Sequence, residues 1–248
     1  MEAAENKILV VIPYLAIAAQ GNELELAVTG WRKFFKEDFL LVIVGDYHPI
    51  VDTGDDIVFI DCPQVEPIPG QYLPHIDHVH KFRTVREHFP DTEGFVYTCD
   101  DIYPVADNTM QDILQPKFPE CGSSIPPFDW RLMRDWYADK GKTADLCDAK
   151  GLPRKDWVCH LPVYYEWELL LRIYDKYDCD HNSYIVENIY FNIIYLDNPD
   201  AVNSYLYHDE VKTSNPAIRP IGTVKWISNA NCGWSDKLSD ILKHHYGI

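Results

Sequence analysis

Residues Lys7 to Tyr14 read KILVVIPY, an apolar run with no polar alternation. Such a run fits a strand covered on both faces within a largely parallel sheet, here ended at Pro13 and Tyr14. Phe39 to Gly45 (FLLVIVG) and Ile57 to Ile60 (IVFI) repeat the signature. Between the first two, Asn22 stands as an N-cap with Glu25 three residues on, a capping-box variant. Leu24, Ala27, Trp31, Phe34 and Phe35 then keep helical spacing down to Lys36. After a Pro-rich stretch from Pro63 to Pro74, His75 to Phe89 carries Ile76, Val79, Phe82, Val85, Arg86 and Phe89 as a helical stripe. Phe95 to Cys99 follows as a short strand that delivers Asp100 and Asp101. This alternation predicts an α/β fold, a Rossmann-like three-layer sandwich with a mostly parallel central sheet.

The second half is more helical and richer in loops. Gln115 to Phe128, rich in Pro, Gly and Ser, reads as a long loop beside the sheet. Asp129 to Lys140 reads as a helical stretch and Thr143 to Lys155 as a looser one. Asp156 to His160 reads as a strand, Tyr164 to Tyr177 and Ser183 to Leu196 as helices, and Thr223 to Ser228 as a closing strand. Ser235 caps a last helix that ends in Lys243, His244, His245 and Gly247, where cations and glycine suit a C-terminus. No repeat interrupts the chain. At 248 residues, 46% hydrophobic and 13% aromatic, it is expected to form one globular domain, residues 1–248.

The formal charge of -17 removes the counterion-release drive for nucleic acid, so no nucleic-acid partner is expected. Ile8 to Ala19 is too short to span a bilayer, contains Pro13, and follows the acidic start Glu2 to Glu5, so no integral membrane segment is expected. Seven scattered cysteines without a Cys-x-x-Cys pair suit a reducing, cytoplasmic setting. No P-loop, no Gly-x-Ser-x-Gly elbow and no Gly-x-Gly-x-x-Gly fingerprint occurs, which argues against ATPase, α/β-hydrolase and dinucleotide chemistry.

Two consecutive carboxylates cannot end a buried strand inside a core, because each would lose hydration without a replacement; Asp100 and Asp101 are therefore expected at a rim. There they can hold a divalent cation through oxygen ligands. The other reading of the same pair is a turn, with Asp101 capping the next segment and Asp100 exposed. The run His75, His78, His80 offers a single i,i+3 pair and falls short of a zinc site.

The stretch His78 to Val105 (HVHKFRTVREHFPDTEGFVYTCDDIYPV) resembles nucleotide-sugar glycosyltransferases of the GT-A fold. Their fourth core strand ends in an acidic metal motif written Asp-x-Asp or x-Asp-Asp. It also resembles, locally, the Stealth-type sugar-phosphate transferases, and His160-Leu161-Pro162 ahead of an amphipathic helix extends that likeness. The chain departs from a strict Asp-x-Asp, since Thr98 and Cys99 are not acids.

The resemblance implies a GT-A-like domain with a nucleotide-binding half (1–106) and an acceptor-binding half (107–248). It implies a nucleotide-sugar donor, a glycan or other hydroxyl acceptor, and Mn2+ or Mg2+ held at Asp100 and Asp101, with Asp100 also holding donor hydroxyls. Tyr14, Gly45 and Asp46 would face the nucleotide, and Arg83, in a basic cluster with Lys81 and Arg86, would reach the diphosphate. Glu187, a carboxylate in an otherwise apolar helical stretch, or His160 would serve the acceptor as general base, with His160 a candidate metal ligand as well. Transfer of a whole sugar phosphate, or ligand binding without turnover, are the alternatives.

Overall fold

The computed structural model describes residues 7–66, 73–119, 124–133, 135–196, 200–215, 218–230 and 232–248. The acidic start, Cys121, and parts of the Pro-rich stretch and of the 115–128 loop lie outside them. Four parallel strands form the middle of the molecule: β1 (Ile8–Tyr14), β2 (Phe39–Gly45), β3 (Ile57–Asp61) and β4 (Gly94–Tyr97). With the antiparallel β7 (Val163–Glu166) at one edge, the order is β3-β2-β1-β4-β7.

The apolar runs are explained by coverage on both faces. Along β1, Leu9 and Val11 enter one core while Val10 and Ile12 enter the other, and β2 alternates in the same way. On one side lie α2 (Pro74–His88) and α5 (Trp167–Tyr177); on the other lies α1 (Glu23–Phe34). This is the mostly parallel α/β architecture expected from the sequence.

The chain continues through β5 (Ile102–Pro104), α3 (Met110–Leu114), β6 (Lys117–Phe118) and α4 (Asp135–Ala149). After α5 come α6 (Val186–Ile194), β8 (Val202–Asn203), β9 (His208–Val211), β10 (Trp226–Asn229) and α7 (Asp236–Tyr246). A second sheet, β5-β10-β9, packs with α1 and α7 around Tyr103, Ile227 and Leu242, and β6 pairs with β8.

Several expectations need correction. Residues 156–160 are not a strand: the Asp156 carboxylate accepts from Val158 N and Asn188 Nδ2, so local side-chain bonding replaces a ladder. The strand is Val163–Glu166, and the expected helix from Tyr164 begins only at Trp167, because the Val-Tyr-Tyr run pairs with β4. The stretches 129–140 and 143–155 are largely one helix, α4, that runs through Gly141. A Cβ there would lie 2.3 Å from Trp130 Cβ, so glycine lets the preceding short 3-10 turn pack against the helix. The 115–128 loop contains β6, and the last two expected elements are shorter, Val186–Ile194 and Trp226–Asn229.

The Asn22 capping box does not form. Asn22 Oδ1 accepts from Ser239 Oγ of α7, and Glu23 accepts from Gln20 N. The helix stops at Phe34 because Phe35 turns extended and bridges to Asn108. Ser235 and Gly247 do cap α7 as expected, with Leu238 N donating to Ser235 Oγ and Gly247 at φ 78°.

Candidate active site

In an open α/β sheet, ligands bind beyond the carboxyl ends of the strands where the order reverses. Here β2 and β3 build outward from one side of β1 and β4 from the other, so the reversal lies between β1 and β4. The cleft at that point, about 190 Å³, is lined by Pro13 near the end of β1 and Leu15 just beyond it, by Cys99, Asp100 and Asp101 after β4, and by Gln20, Glu23, His78, His160 and Asn229.

The strand pairing ends with Thr98 N donating to Val11 O, and the chain then turns through Asp100 and Asp101, with Ile102 N donating to Cys99 O. The acids thus sit in a turn at the cleft rim, but Asp100 is half-buried rather than exposed as the turn reading had it. Asn229 N at the end of β10 donates to Asp101 O, so the second sheet fixes the turn from behind.

His160 is brought to Asp101 by a left-handed backbone (φ 52°), an uncommon conformation for a residue other than glycine. Its Nε2 is 3.1 Å from Asp101 Oδ1, and its Nδ1 is 4.0 Å from Glu210 Oε1. Burial works against the imidazolium, but Asp101, with Glu210 and Glu187, outweighs it and raises the His160 pKa.

The surrounding acids repel one another. Burial, then Asp101 and Glu23, push Asp100 up to about 7. Glu23 is buried and also raised by burial, although Asn229 Nδ2 and Gln20 N both donate to it. Glu187 is pushed up to about 8 by burial and by Asp156. His78 is held neutral by burial, down to about 3, with its ring edge-on to Tyr97.

Among the described residues, one group of three metal-ligating side chains occurs: Cys99, Asp101 and His160, with donor atoms all within 4.8 Å of one another. A carboxylate oxygen and an imidazole nitrogen suit Mn2+ as well as harder or softer divalent ions. The Cys99 thiol is held protonated by burial and by Asp101, and lies 3.1 Å from Tyr97 Oη. The residues fit a cation in another respect: the cleft gathers Glu23, Asp100 and Asp101, and among the described residues no Lys or Arg lines it.

Compared with solved structures, the chain is similar to the apo form of the glycosyltransferase GlyE of Streptococcus pneumoniae TIGR4, at 11% identity and TM-score 0.39, over 98% of this chain and 61% of that one. It is also similar to a glycosyltransferase involved in the glycosylation of the major capsid of PBCV-1, at 10% identity and TM-score 0.43, over 98% of this chain and all of that one. No protein-family model and no curated protein matches the sequence.

The other expected residues separate into two sets. Tyr14 ends β1 with its ring edge-on to His48, and its hydroxyl is raised by burial and then by Asp100. Gly45 ends β2 at φ 137°, where a Cβ would lie 1.9 Å from Tyr14 O, so only glycine lets the two strand ends close. Asp46 accepts from Ala16 N and so ties down the loop after β1.

The basic cluster is not at the cleft. Arg83 points to the other face of α2, where Asp175 and Asp180 bind it and Tyr174 lies beneath it. Arg86 donates to the Phe89 and Thr92 carbonyls. Lys81 is buried against Asp77 at 2.7 Å and donates to Tyr14 O. Helical spacing puts Arg83 and Arg86 together toward α5, away from Lys81.

Among the described residues His75, His78 and His80 belong to no metal-ligating group, and His80 lies exposed while the other two are partly buried. Glu23, Asn229 and Glu210 were not legible as site residues. Glu23 looks like an ordinary first-turn acid, and the other two reach the cleft through the second sheet.

Proposed function

We propose that the chain transfers a sugar from a nucleoside diphosphate sugar to an acceptor hydroxyl, with the 1–106 half binding the donor and the 107–248 half the acceptor. The observation that carries this reading is the pairing of Asp101 with His160 in an acidic cleft at the strand-order reversal, with no Lys or Arg among the described residues that line it. A diphosphate would be repelled there unless a cation accompanied it.

Asp101 and His160 would hold Mn2+ or Mg2+, with Asp100 beside them for donor hydroxyls. When bound, the ion supplies neutralisation of the diphosphate leaving group. Tyr14, Gly45 and Asp46 would border the nucleotide at the β1 and β2 ends. Glu187 is the acceptor-side carboxylate: the acceptor oxygen bonds to the anomeric carbon, the bond to the diphosphate breaks, and the hydroxyl proton passes to Glu187. With a pKa near 8, roughly a tenth of Glu187 is ionised at pH 7. His160 is assigned to the ion because its Nε2 lies 3.1 Å from Asp101 Oδ1, with the Cys99 thiol beside them.

The test is a panel of nucleotide sugars incubated with the protein, Mn2+ and sugar acceptors. Release of free nucleoside diphosphate with one donor is expected. Release of nucleoside monophosphate would point to sugar-phosphate transfer instead, and no turnover of any donor would contradict both.

A further inference from the structure

The loop that carries His160 has two sides. His160 enters the acidic cleft, while its neighbours Cys159, Leu161 and Pro162 line a separate pocket of about 170 Å³ under the free edge of β7. Aromatic rings, with Trp157, Phe191 and Tyr195 among them, and aliphatic side chains make up most of the other walls of that pocket.

These walls are built rather than left over. Trp157 is fixed at two points, its backbone N donating to Asn188 Oδ1 (2.7 Å) and its indole Nε1 to Asn192 Oδ1 (3.1 Å). Phe191 and Tyr195 stack at 4° on the neighbouring turn of α6. A rigid, bonded wall cannot relax into the space, so the pocket stays preformed. Its mouth carries the half-exposed Leu114 (51%) and Ile194 (43%).

The pocket also states what it would take. An apolar cavity of about 150 Å³ accommodates one benzene-sized ring. The one cation in the lining, Lys117, is already bonded to the carbonyls of Asp112, Ile113 and Gln115, so it offers no anion site. Glu166 adds a negative charge to the lining.

We infer that this pocket binds one uncharged aromatic ring or short alkyl group, and that its occupancy is felt at His160 through Cys159 and Leu161. This is a ligand site outside the donor cleft, and ring binding does not depend on the transferase reading. A ligand wedged against the 159–162 loop changes the packing behind a residue held in a left-handed backbone, and packed loops respond to such contacts as units.

The experiment is an NMR titration of the full chain with benzyl alcohol as the probe and glycerol as control, following the Trp157 indole and His160 imidazole signals. The two signals are expected to shift along one saturable curve with benzyl alcohol only. In Ile194→Trp, and in Leu114→Trp as a second rim variant, both shifts should be lost while the dispersion of a folded protein remains. Unmoved signals, Trp157 moving without His160, or full retention of the shifts in both variants would overturn the inference. Broadening of the His160 signal by Mn2+ in a separate titration tests the cation reading, so failure of one is distinguishable from failure of the other.

Discussion

His160 Nε2 and Asp101 Oδ1 lie 3.1 Å apart across 59 residues of sequence, and this contact joins the two halves of the chain at the cleft. With burial opposing the imidazolium, it is mainly Asp101 that keeps the His160 pKa above its ordinary value. Asp101→Asn should therefore lower the His160 pKa, read by NMR titration of its imidazole. An unchanged pKa would mean that Asp101 does not control it.

The raised carboxyls give a stability profile with a definite sign. Asp100 (about 7) and Glu187 (about 8) hold protons more tightly folded than unfolded, so their favourable contribution is present below the ordinary carboxyl pKa and is lost as pH rises through the folded values. His160, also raised, acts in the same direction, its contribution fully present below the ordinary imidazole pKa and lost as pH rises through its folded pKa. In chelator, Tm should fall between about pH 5 and 8, and Asp100→Asn and Glu187→Gln should flatten the fall. A pH-independent difference between wild type and variants would contradict the repulsion.

Loss of Glu187 should affect turnover more than donor binding. Glu187→Gln is expected to lower kcat by about 10²–10⁴-fold, the usual range for a positioned base, with donor KM little changed. Wild-type kcat should rise with pH toward 8 as Glu187 ionises. A variant of unchanged kcat would remove Glu187 from the reaction.

Gly45→Ala places a Cβ against Tyr14 O at a φ that side chains rarely adopt. It should cost more than about 1 kcal/mol, seen as a Tm drop of at least about 2 °C, and weaken nucleotide binding at the β1 end. Wild-type stability would mean that the two strand ends separate freely.

Arg83→Ala serves as the contrasting case. Its partners, Asp175 on α5 and Asp180 just after it, are both substantially exposed, so the stability cost should stay within about 1 kcal/mol. Nucleotide affinity, measured by calorimetry, should not change. A marked loss would return Arg83 to the diphosphate.

The first half of the fold was legible because β1 and β2 are covered on both faces and so carry an uninterrupted apolar signal. The turn at Asp100 and Asp101 was legible for the complementary reason, that two acids cannot enter a core. The second half was not, because its signals are tertiary. Tyr164 and Tyr165 look helical by spacing until β4 offers a partner strand, and Asp156 is turned from a ladder by Asn188, a residue 32 positions away. Arg83 was misplaced because a sequence shows that a helix is basic but not which face meets α5. Glu23 and Asn229, which hydrogen-bond to each other across 206 residues, meet at the cleft only in the folded chain.

The most direct test of the Asp101–His160 pair is calorimetric titration of a nucleoside diphosphate into the protein with and without Mn2+, for wild type and Asp101→Asn. Wild type should bind at least about tenfold more tightly with Mn2+, and Asp101→Asn should lose that enhancement. Equal binding with and without Mn2+, or an enhancement that survives in Asp101→Asn, would contradict an ion-and-diphosphate site at this pair.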